Sequence, residues 1–318
     1  KSMNKQWKDT VDKLYCGLEL ERKAVGVELL KDASQFENAD AISLKRPINY
    51  CHMVAAATKG NRIKARNEDF LCRSAPRALG MESAELHNDH GANWARLGLY
   101  KDADLSRKVR EELVYAKEAR YGVLVAPAEQ FEDFPDVILI VSNPYNCMRI
   151  VQGYAHHYGM PKSVNLIGNQ AICLECTGRP YIVKDMNLSL LCIGTRHRAG
   201  WKDDEMAVGI PGGQFKEVVD GIINTINLME NDHNKELIEQ KMKEKNILIT
   251  GASQGIGAKT AEYLSAQGAT VVLVARNADK LNSIQTNFSG RSYIVPYDLN
   301  DLEHMKTIFD FCIESINF

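Results

Sequence analysis

The sequence predicts an α/β protein with two unlike domains. Before residue 230, apolar runs typical of strands alternate with stretches of helical periodicity. After residue 245 the alternation becomes regular, and a glycine-rich turn joins the first strand to the first helix. A charged segment separates the two parts. We therefore predict a cysteine-rich α/β domain over residues 1–230, a charged helical linker over 231–245, and an incomplete dinucleotide-binding domain over 246–318, built on a partial doubly wound (Rossmann-like) parallel sheet.

The first domain's elements follow from the spacing of its apolar residues. Runs rich in aliphatic residues predict strands over 24–30, 122–126, 137–141, 188–193 and 206–210. Helical periodicity predicts helices over 7–18, 48–58, 145–158 and 214–228. Gly60 and Gly159 stand just beyond the second and third of these helices, where a left-handed residue commonly closes a helix.

The linker and the last domain have simpler patterns. Lys235 with Glu239, and Glu239 with Lys243, are spaced for i,i+4 pairing, and the few apolar residues around them indicate a solvated connector helix. Strands are then predicted over 246–250, 270–275 and 292–296, alternating with helices over 258–267, 278–287 and 302–315. This order is the first half of a doubly wound parallel sheet.

The glycine-rich turn Thr250-Gly-Ala-Ser-Gln-Gly-Ile-Gly257 leads from the first of these strands into a helix. Gly251 permits the tight turn, Gly255 lets the backbone approach a pyrophosphate, and Gly257 lets the helix pack closely on the strand. The helix N-terminus then offers unpaired N–H groups and a positive dipole end to phosphates. The spacing predicts a nucleotide-binding turn in preference to a purely structural one.

The turn and the later Asp298-Leu299 resemble the N-terminal part of a short-chain dehydrogenase/reductase. The resemblance implies binding of NAD or NADP at the turn from Thr250 to Gly257, with Ser253 and Ile256 near the phosphates. It also implies that Asp298, followed by Leu299, lies near the adenine. For the intact protein, it implies hydride transfer to or from a carbonyl or alcohol of a small-molecule substrate.

Arg276 bears on the choice between the two cofactors. It follows the second strand, where NAD-preferring members of the family usually place an acidic residue for the ribose hydroxyls. A guanidinium can pair with a 2′-phosphate instead, which favours NADP. Gln254 stands where NADP enzymes often carry a basic residue, and its presence weakens the prediction of NADP. We expect NADP, with NAD as the alternative.

The family's catalytic residues do not occur in this sequence. No Tyr-x-x-x-Lys pair follows Gly257, and the Asn-Ala-Gly stretch and the catalytic Ser are missing too. We therefore expect a chain truncated at Phe318, before its fourth strand, with its catalytic residues unknown. We expect no short-chain reductase activity from it, because carbonyl reduction needs a proton donor. The first strand would then be an exposed sheet edge, so we expect the half-sheet to be mobile, poorly ordered or covered by a second protomer in a homo-oligomer.

Residues from about 5 to 230 resemble domain of unknown function family 169. The resemblance rests on Tyr50-Cys-His-Met-Val54 with Ala57 and Lys59-Gly60, on Cys72 before Ala78-Leu-Gly80, on residues 188–192 with Gly194 and Arg196, and on residues 204–211. It covers most of this segment and implies no established activity.

Seven of the eight cysteines precede residue 200: Cys16, Cys51, Cys72, Cys147, Cys173, Cys176 and Cys192. The C-x-x-C pair Cys173 and Cys176 could bind zinc or an iron–sulfur cluster with Cys192, and Cys51, Cys72 or Cys147 could supply further ligands. A redox or nucleophilic thiol and plain core packing are the other interpretations. The alternative function is thus a metal, iron–sulfur or small-ligand binding module whose nucleotide part is regulatory or vestigial.

Composition and charge exclude several classes of protein. With 45% hydrophobic and 25% charged residues, the chain is not of the disordered type. A net charge of −2 gives no electrostatic reason to expect nucleic acid or an anionic membrane as partner. No apolar run reaches the roughly 18 residues of a membrane helix, and no signal peptide is recognised. We expect a cytoplasmic protein with reduced thiols.

Overall fold

A computed structural model describes residues 4–83, 91–225, 243, 245–288 and 290–316. The chain forms two compact units, Lys1–Thr225 and Ile226–Phe318. Apart from Lys243 and Lys245, the predicted linker over 231–245 lies outside the described residues. The predicted α/β class is confirmed, and each unit contains a sheet of its own. Among the described residues, no helix has both the length and the apolar composition needed to cross a membrane.

The first unit is built on a seven-stranded sheet. Its strands are β1 (Val25–Leu30), β2 (Ile42–Ser43), β3 (Ile63–Arg66), β4 (Gly122–Pro127), β5 (Val137–Ser142), β6 (Asn187–Ser189) and β7 (Met206–Pro211). They lie in the order β2-β3-β4-β1-β5-β7-β6. All neighbours pair antiparallel except β2 and β3. The strand predicted over 188–193 ends at Ser189, because Leu191 adopts a left-handed φ of 66° and a helix starts at Ile193.

Helices cover both faces of this sheet. They are α1 (Lys5–Gly17), α2 (Ala33–Asn38), α3 (Tyr50–Ala57), α4 (Ser74–Ala78), α5 (Ala92–Arg96), α6 (Ala103–Glu112), α7 (Pro144–Tyr158), α8 (Arg179–Val183), α9 (Ile193–Ala199) and α10 (Phe215–Asn224). A π-helical segment, Ala171–Gly178, precedes α8. The helix predicted over 214–228 is α10, and residues 226–228 lie outside the described part.

Two hydrophobic clusters form the core of this unit, one on each face of the sheet. Alternate residues of β5 divide between them, so that Val137 and Leu139 join α3, α4 and the π-helical segment, whereas Ile138 and Ile140 join α1, α7 and α10. Because both faces are covered, every residue of β4 and β5 is buried. This explains why those strands read as continuous apolar runs in the sequence.

The second unit contains a three-stranded parallel sheet in the order β10-β9-β8, where β8 is Asn246–Thr250, β9 is Thr270–Ala275 and β10 is Ser292–Pro296. The helices between and after these strands are α11 (Gly255–Ala266), α12 (Ala278–Gln285) and α13 (Lys306–Ile316). The predicted order of elements is confirmed. The central strand β9 contributes Val271 and Leu273 to a cluster with α11 and α12, and Val272 and Val274 to a cluster with α13.

Helices α7 and α10 approach each other through two glycines, and this contact is the basis of a stability prediction. A Cβ atom added to Gly221 would lie 2.1 Å from the carbonyl oxygen of Gly153. Gly221→Ala should therefore destabilise the first unit by about 2 kcal/mol, because backbone must move to admit the methyl group. Gly213→Ala is the matched control, since nothing lies within 4 Å of its added Cβ.

The measurement is chemical denaturation followed by tryptophan fluorescence. All three tryptophans, Trp7, Trp94 and Trp201, belong to the first unit, so the signal reports on that unit. The control should stay within about 0.5 kcal/mol of the parent protein. Equal unfolding midpoints for Gly221→Ala and the parent would show that the helix contact adapts without cost.

Candidate functional site

A cleft of about 720 Å³ lies at one edge of the second unit's sheet. Its lining comes from the segments that follow each of the three strands: Gly251, Ser253 and Gln254 after β8; Ala275, Arg276, Asn277 and Lys280 at the end of β9 and beyond; and Tyr297, Asp298, Leu299 and Asn300 after β10. Parallel strands place their carboxyl ends at one edge, where open α/β sheets bind ligands. The cleft is therefore where this architecture puts a binding site.

The glycine-rich turn has the backbone geometry expected from its spacing. Gly251 and Gly255 have φ values of +64° and +60°, which other L-residues rarely adopt. A Cβ on Gly257 would lie 2.4 Å from the carbonyl oxygen of Gly251, so helix α11 packs on the turn without room for a side chain. The N–H of Ala252 donates to the carbonyl oxygen of Val274 at 3.3 Å, which ties the turn to β9.

The predicted cofactor-binding residues all lie in or beside this cleft. Gly251, Ser253, Arg276, Asp298 and Leu299 line it. Thr250, the last residue of β8, and Gly255, Ile256 and Gly257, at the start of α11, belong to the adjoining turn and do not line the cleft as it stands. Ile256 is 88% exposed, so its side chain adds little to the core of the unit.

Two cations face the cleft, and only one was predicted. The guanidinium of Arg276 is exposed and makes no hydrogen bond or ion pair with the described residues. Lys280, on the first turn of α12, places its Nζ 3.4 Å from Oε1 of Gln254. The side chain of Asn277 fixes this turn by accepting the N–H of Lys280 at 2.9 Å. In the sequence, Asn277 three positions before Lys280 is the pattern of an N-cap, and it indicates that Lys280 lies in the first turn of a helix.

Asp298 is held in place by its own loop. Its Oδ1 accepts hydrogen bonds from the backbone N–H of Asn300 at 3.1 Å and from the amide nitrogen of that residue at 3.0 Å. The backbone N–H of Tyr297 donates to the carbonyl oxygen of Ala275, which joins the loop after β10 to the end of β9. The cleft lining thus includes one oriented carboxylate and two cations.

A second cavity, of about 560 Å³, lies in the first unit and is lined by four cysteines, Cys51, Cys72, Cys173 and Cys192. The pKa of Cys51 is raised to about 11, chiefly by burial and to a smaller extent by the neighbouring thiols of Cys192 and Cys72. Burial likewise raises the pKa of Cys173 well above its usual value, with Cys72, Cys192 and Cys51 as the charges that act on it. The four thiols are therefore electrostatic neighbours.

The pairing of Cys173 with Cys176 through the C-x-x-C spacing is not what the structure shows. Cys176 is fully buried and does not line the cavity, and the groups that act on its pKa after burial are Glu175, Cys147 and Ser189. The reason is local geometry: hydrogen bonds in a π-helix run i→i+5, so residues three apart no longer share a face. Cys147 is buried as well, with its Sγ directed at the carbonyl oxygen of Ser142.

Within the described residues, no three His, Cys, Asp or Glu side chains are grouped so that they could hold a metal ion. Of the three predicted metal ligands, the structure brings Cys173 and Cys192 together and leaves Cys176 in the core. It adds Cys51 and Cys72, which the sequence offered only as further ligands.

Comparison with known proteins divides the chain at the same place. Residues 13–221 match the family DUF169, described as uncharacterised ArCR, and residues 245–317 match the short chain dehydrogenases. An uncharacterized protein of Methanocaldococcus jannaschii is 25% identical over 217 residues, which cover 68% of this chain and 93% of that protein. An uncharacterized oxidoreductase of Staphylococcus epidermidis is 46% identical over 74 residues, which cover 22% of this chain and 32% of the oxidoreductase.

Solved structures of short-chain oxidoreductases match about a quarter of this chain. A metagenomic short-chain oxidoreductase in complex with NADP is 30% identical with a TM-score of 0.22, and the match covers 22% of this chain and 34% of that one. L-Sorbose reductase from Gluconobacter frateurii, complexed with NADPH and L-sorbose, is 34% identical with a TM-score of 0.22, over 23% and 29% of the two chains. The chain spans about a third of the length of the oxidoreductases that it matches.

The raised pKa of Cys51 makes a prediction for its reactivity. The thiolate is the nucleophile, and a pKa of about 11 in place of 9.0 lowers the thiolate fraction at pH 8 about 100-fold. Alkylation of Cys51 by iodoacetamide should therefore be slow at pH 8 and rise about tenfold for each pH unit up to about pH 11. Mass spectrometry of tryptic peptides after timed quenching measures the rate, and a short cysteine peptide is the reference. A Cys51 rate at pH 8 equal to the peptide's would contradict the prediction.

Proposed function

We propose that the second unit binds NADP(H) as the nucleotide-binding part of a short-chain oxidoreductase. Through residues 13–221, the chain belongs to domain of unknown function family 169. The observation that carries the proposal is the exposed Arg276 guanidinium in the same cleft as the glycine-rich turn. The substrate class that fits is a small molecule with a carbonyl or hydroxyl group, because a nicotinamide supplies hydride transfer when it is bound.

The turn fits a pyrophosphate. No atom lies within 4 Å of the positions that Cβ atoms would take on Gly251 and Gly255, so both residues leave their backbone open to a ligand. Helix α11 begins at Gly255 and is 12 residues long, and its first N–H groups have no intrahelical acceptor. Phosphate oxygens can accept hydrogen bonds from these groups and benefit from the positive end of the helix dipole.

The cations fit the 2′-phosphate that distinguishes NADP from NAD. Arg276 offers a planar fork of donors, and Lys280 adds a second positive charge one turn into α12. An acidic residue at the end of β9, which would bind the ribose hydroxyls of NAD, is replaced by Arg276. Asp298 lies after the next strand, where its oriented carboxylate can accept hydrogen bonds from the adenine.

Calorimetric titration of the full chain with NADP⁺ and with NAD⁺ tests the specificity. Arg276→Ala should weaken NADP⁺ binding about 10- to 100-fold, the effect of losing a charge-assisted hydrogen bond worth about 1.5–3 kcal/mol, and should leave NAD⁺ binding unchanged. Arg291→Ala is the matched control, because Arg291 is an exposed arginine of the same unit outside the cleft lining. Equal NADP⁺ affinities for the Arg276→Ala protein and the parent would refute the role of Arg276.

Gly255→Val tests the turn independently of the 2′-phosphate. A β-branched residue at a φ of +60° is strained, and its side chain would occupy the space left for the pyrophosphate. Both NADP⁺ and NAD⁺ should lose at least about tenfold in affinity. Thr260→Val, a change of similar shape on the exposed face of α11, should bind both as the parent does. Unchanged affinity in a Gly255→Val protein of normal circular dichroism would remove the turn from the binding site.

A further inference from the structure

The four-thiol cavity, lined by Cys51, Cys72, Cys173 and Cys192, has a wall that is mostly apolar. Burial raises the pKa of Cys51 and of Cys173 well above its usual value, so both thiols are uncharged near pH 7. An uncharged thiol behaves as a small, polarizable hydrophobe, and soft sulfur atoms make favourable contacts with aromatic rings. The wall therefore suits the apolar, aromatic body of a small molecule, and the volume of about 560 Å³ is that of a typical ligand site.

Large apolar side chains of the same lining are exposed to solvent. Leu97, Leu99 and Ile193 all line the cavity and are 62%, 50% and 71% exposed. Single apolar side chains scattered over a surface are ordinary, whereas several beside one concave site indicate a surface that a ligand covers.

Asn49 brings an unpaired amide to the wall. It occupies the N-cap position of α3, where an Asn side chain usually accepts a backbone N–H of the first turn, but its side chain makes no such hydrogen bond. Its Oδ1 is buried without a hydrogen-bond partner among the described residues, and the residue is only 4% exposed. An unsatisfied buried amide costs stability, so a hydrogen-bonding group on a ligand is the partner that this side chain lacks.

Asn169 adds a donor whose orientation is fixed. Its Oδ1 accepts the N–H of Gln170 at 2.9 Å, and its Nδ2 is buried without a partner in the described part of the chain. Gln170, which also lines the cavity, has a left-handed φ of 52°, a conformation that residues other than glycine seldom adopt. Strained backbone of this kind is concentrated at ligand sites. The donor of Asn169 needs an acceptor, such as a carboxylate oxygen.

The lining contains basic side chains, and none of its described residues is acidic. Arg198 and His197 are both exposed members of it. The guanidinium of Arg198 makes no hydrogen bond or ion pair with the described residues. Its backbone is anchored, because the Nε2–H of His52 in α3 donates to the carbonyl oxygen of Arg198. An arginine with free donors beside an apolar cavity suits a carboxylate, which it can bind through two parallel hydrogen bonds.

We propose that the four-thiol cavity binds a small aromatic carboxylate whose ring carries an N–H or O–H group. The ring packs on the thiols and the apolar side chains, Arg198 and Asn169 bind the carboxylate, and Asn49 accepts the N–H or O–H. Binding is reversible and forms no covalent bond. The site lies in the first unit and does not depend on the NADP(H) proposed for the second, so either proposal can fail alone.

Calorimetric titration of the full chain with indole-3-acetate tests the proposal, because this acid has the ring, the N–H and the carboxylate. We expect a Kd below about 1 mM, which ordinary ligand efficiency gives a molecule of this size. Indole lacks the carboxylate and naphthalene-1-acetate lacks the N–H, so each should bind at least about fivefold more weakly. Absence of binding by both aromatic acids would overturn the proposal, as would equal affinities for indole-3-acetate and indole.

Arg198→Gln tests the carboxylate partner. Both acids should bind about tenfold more weakly to this protein, whereas indole should bind as it does to the parent. Arg46→Gln is the matched control, because Arg46 is an exposed arginine of the same unit outside the cavity lining. Unchanged affinity for the acids in Arg198→Gln, or an equal loss in the control, would refute binding of the carboxylate by Arg198.

Asn49→Leu removes the unpaired amide and keeps its approximate shape. The melting temperature of the free protein should stay the same or rise, because an unsatisfied buried polar group is lost. Indole-3-acetate should bind about fivefold more weakly, and naphthalene-1-acetate, which has no N–H, should keep its affinity. A lower melting temperature with equal loss of both acids would instead give Asn49 a structural role and contradict the proposal.

Protection of Cys72 from alkylation locates the bound acid. Cys72 is exposed and lines the cavity, whereas Cys16 is a partly exposed cysteine of α1 outside it. Saturating indole-3-acetate should slow the reaction of Cys72 with iodoacetamide at least about fivefold and leave the rate at Cys16 unchanged, as measured by mass spectrometry of tryptic peptides. Binding without protection of Cys72 would place the acid outside the cavity, and equal protection of both cysteines would show that it binds without a specific site.

Discussion

The first unit depends on how closely the π-helical segment lies against strand β7. A Cβ on Gly209 would be 1.9 Å from the carbonyl oxygen of Cys176, and one on Gly178 would be 2.7 Å from that of Ala78. Backbone therefore meets backbone on two sides, and the segment has no freedom to rotate about its axis. Its buried Glu175 accepts hydrogen bonds from Ser189 and from the N–H of Ile167 at 2.8 Å. With rotation excluded, Cys176 is confined to the core and Cys173 to the cavity.

The parts of the fold that could be predicted from sequence are those that local patterns determine. Strands β4 and β5 are buried on both faces and so appear as unbroken apolar runs. Strand β3 was missed because Lys64 interrupts it. Lys64 is only 7% exposed, and its Nζ donates to the carbonyl oxygens of Phe36 and Ala39 at 2.7 and 2.9 Å. A buried lysine satisfied by carbonyls at the C-terminal end of α2 cannot be recognised by periodicity.

The cysteines show the same limit at a site. A three-residue spacing puts two thiols on one side of an α-helix, and Cys173 and Cys176 suggested a pair on that basis. In the π-helical segment, residues three apart lie on different faces, so the spacing of Cys173 and Cys176 does not pair their thiols. The thiols that line the cavity are separated by 19 to 141 residues along the chain, since Cys51 and Cys72 come from one part of it and Cys173 and Cys192 from another. Only tertiary packing brings them together.

The cleft of the second unit and the four-thiol cavity of the first thus differ in what determines them. In the turn beside the cleft, Gly251, Gly255 and Gly257 act through φ angles and close backbone contacts within eight residues of chain, so the turn can be recognised from their spacing. The cavity has no such local determinant, because each of its cysteines is positioned by a different element. Lys280 falls between these cases. The Asn277 cap that places it is local, but its position opposite the turn depends on the pairing of β8 with β9. The position of a side chain can be predicted from sequence only when the residues that fix it are near it in the chain.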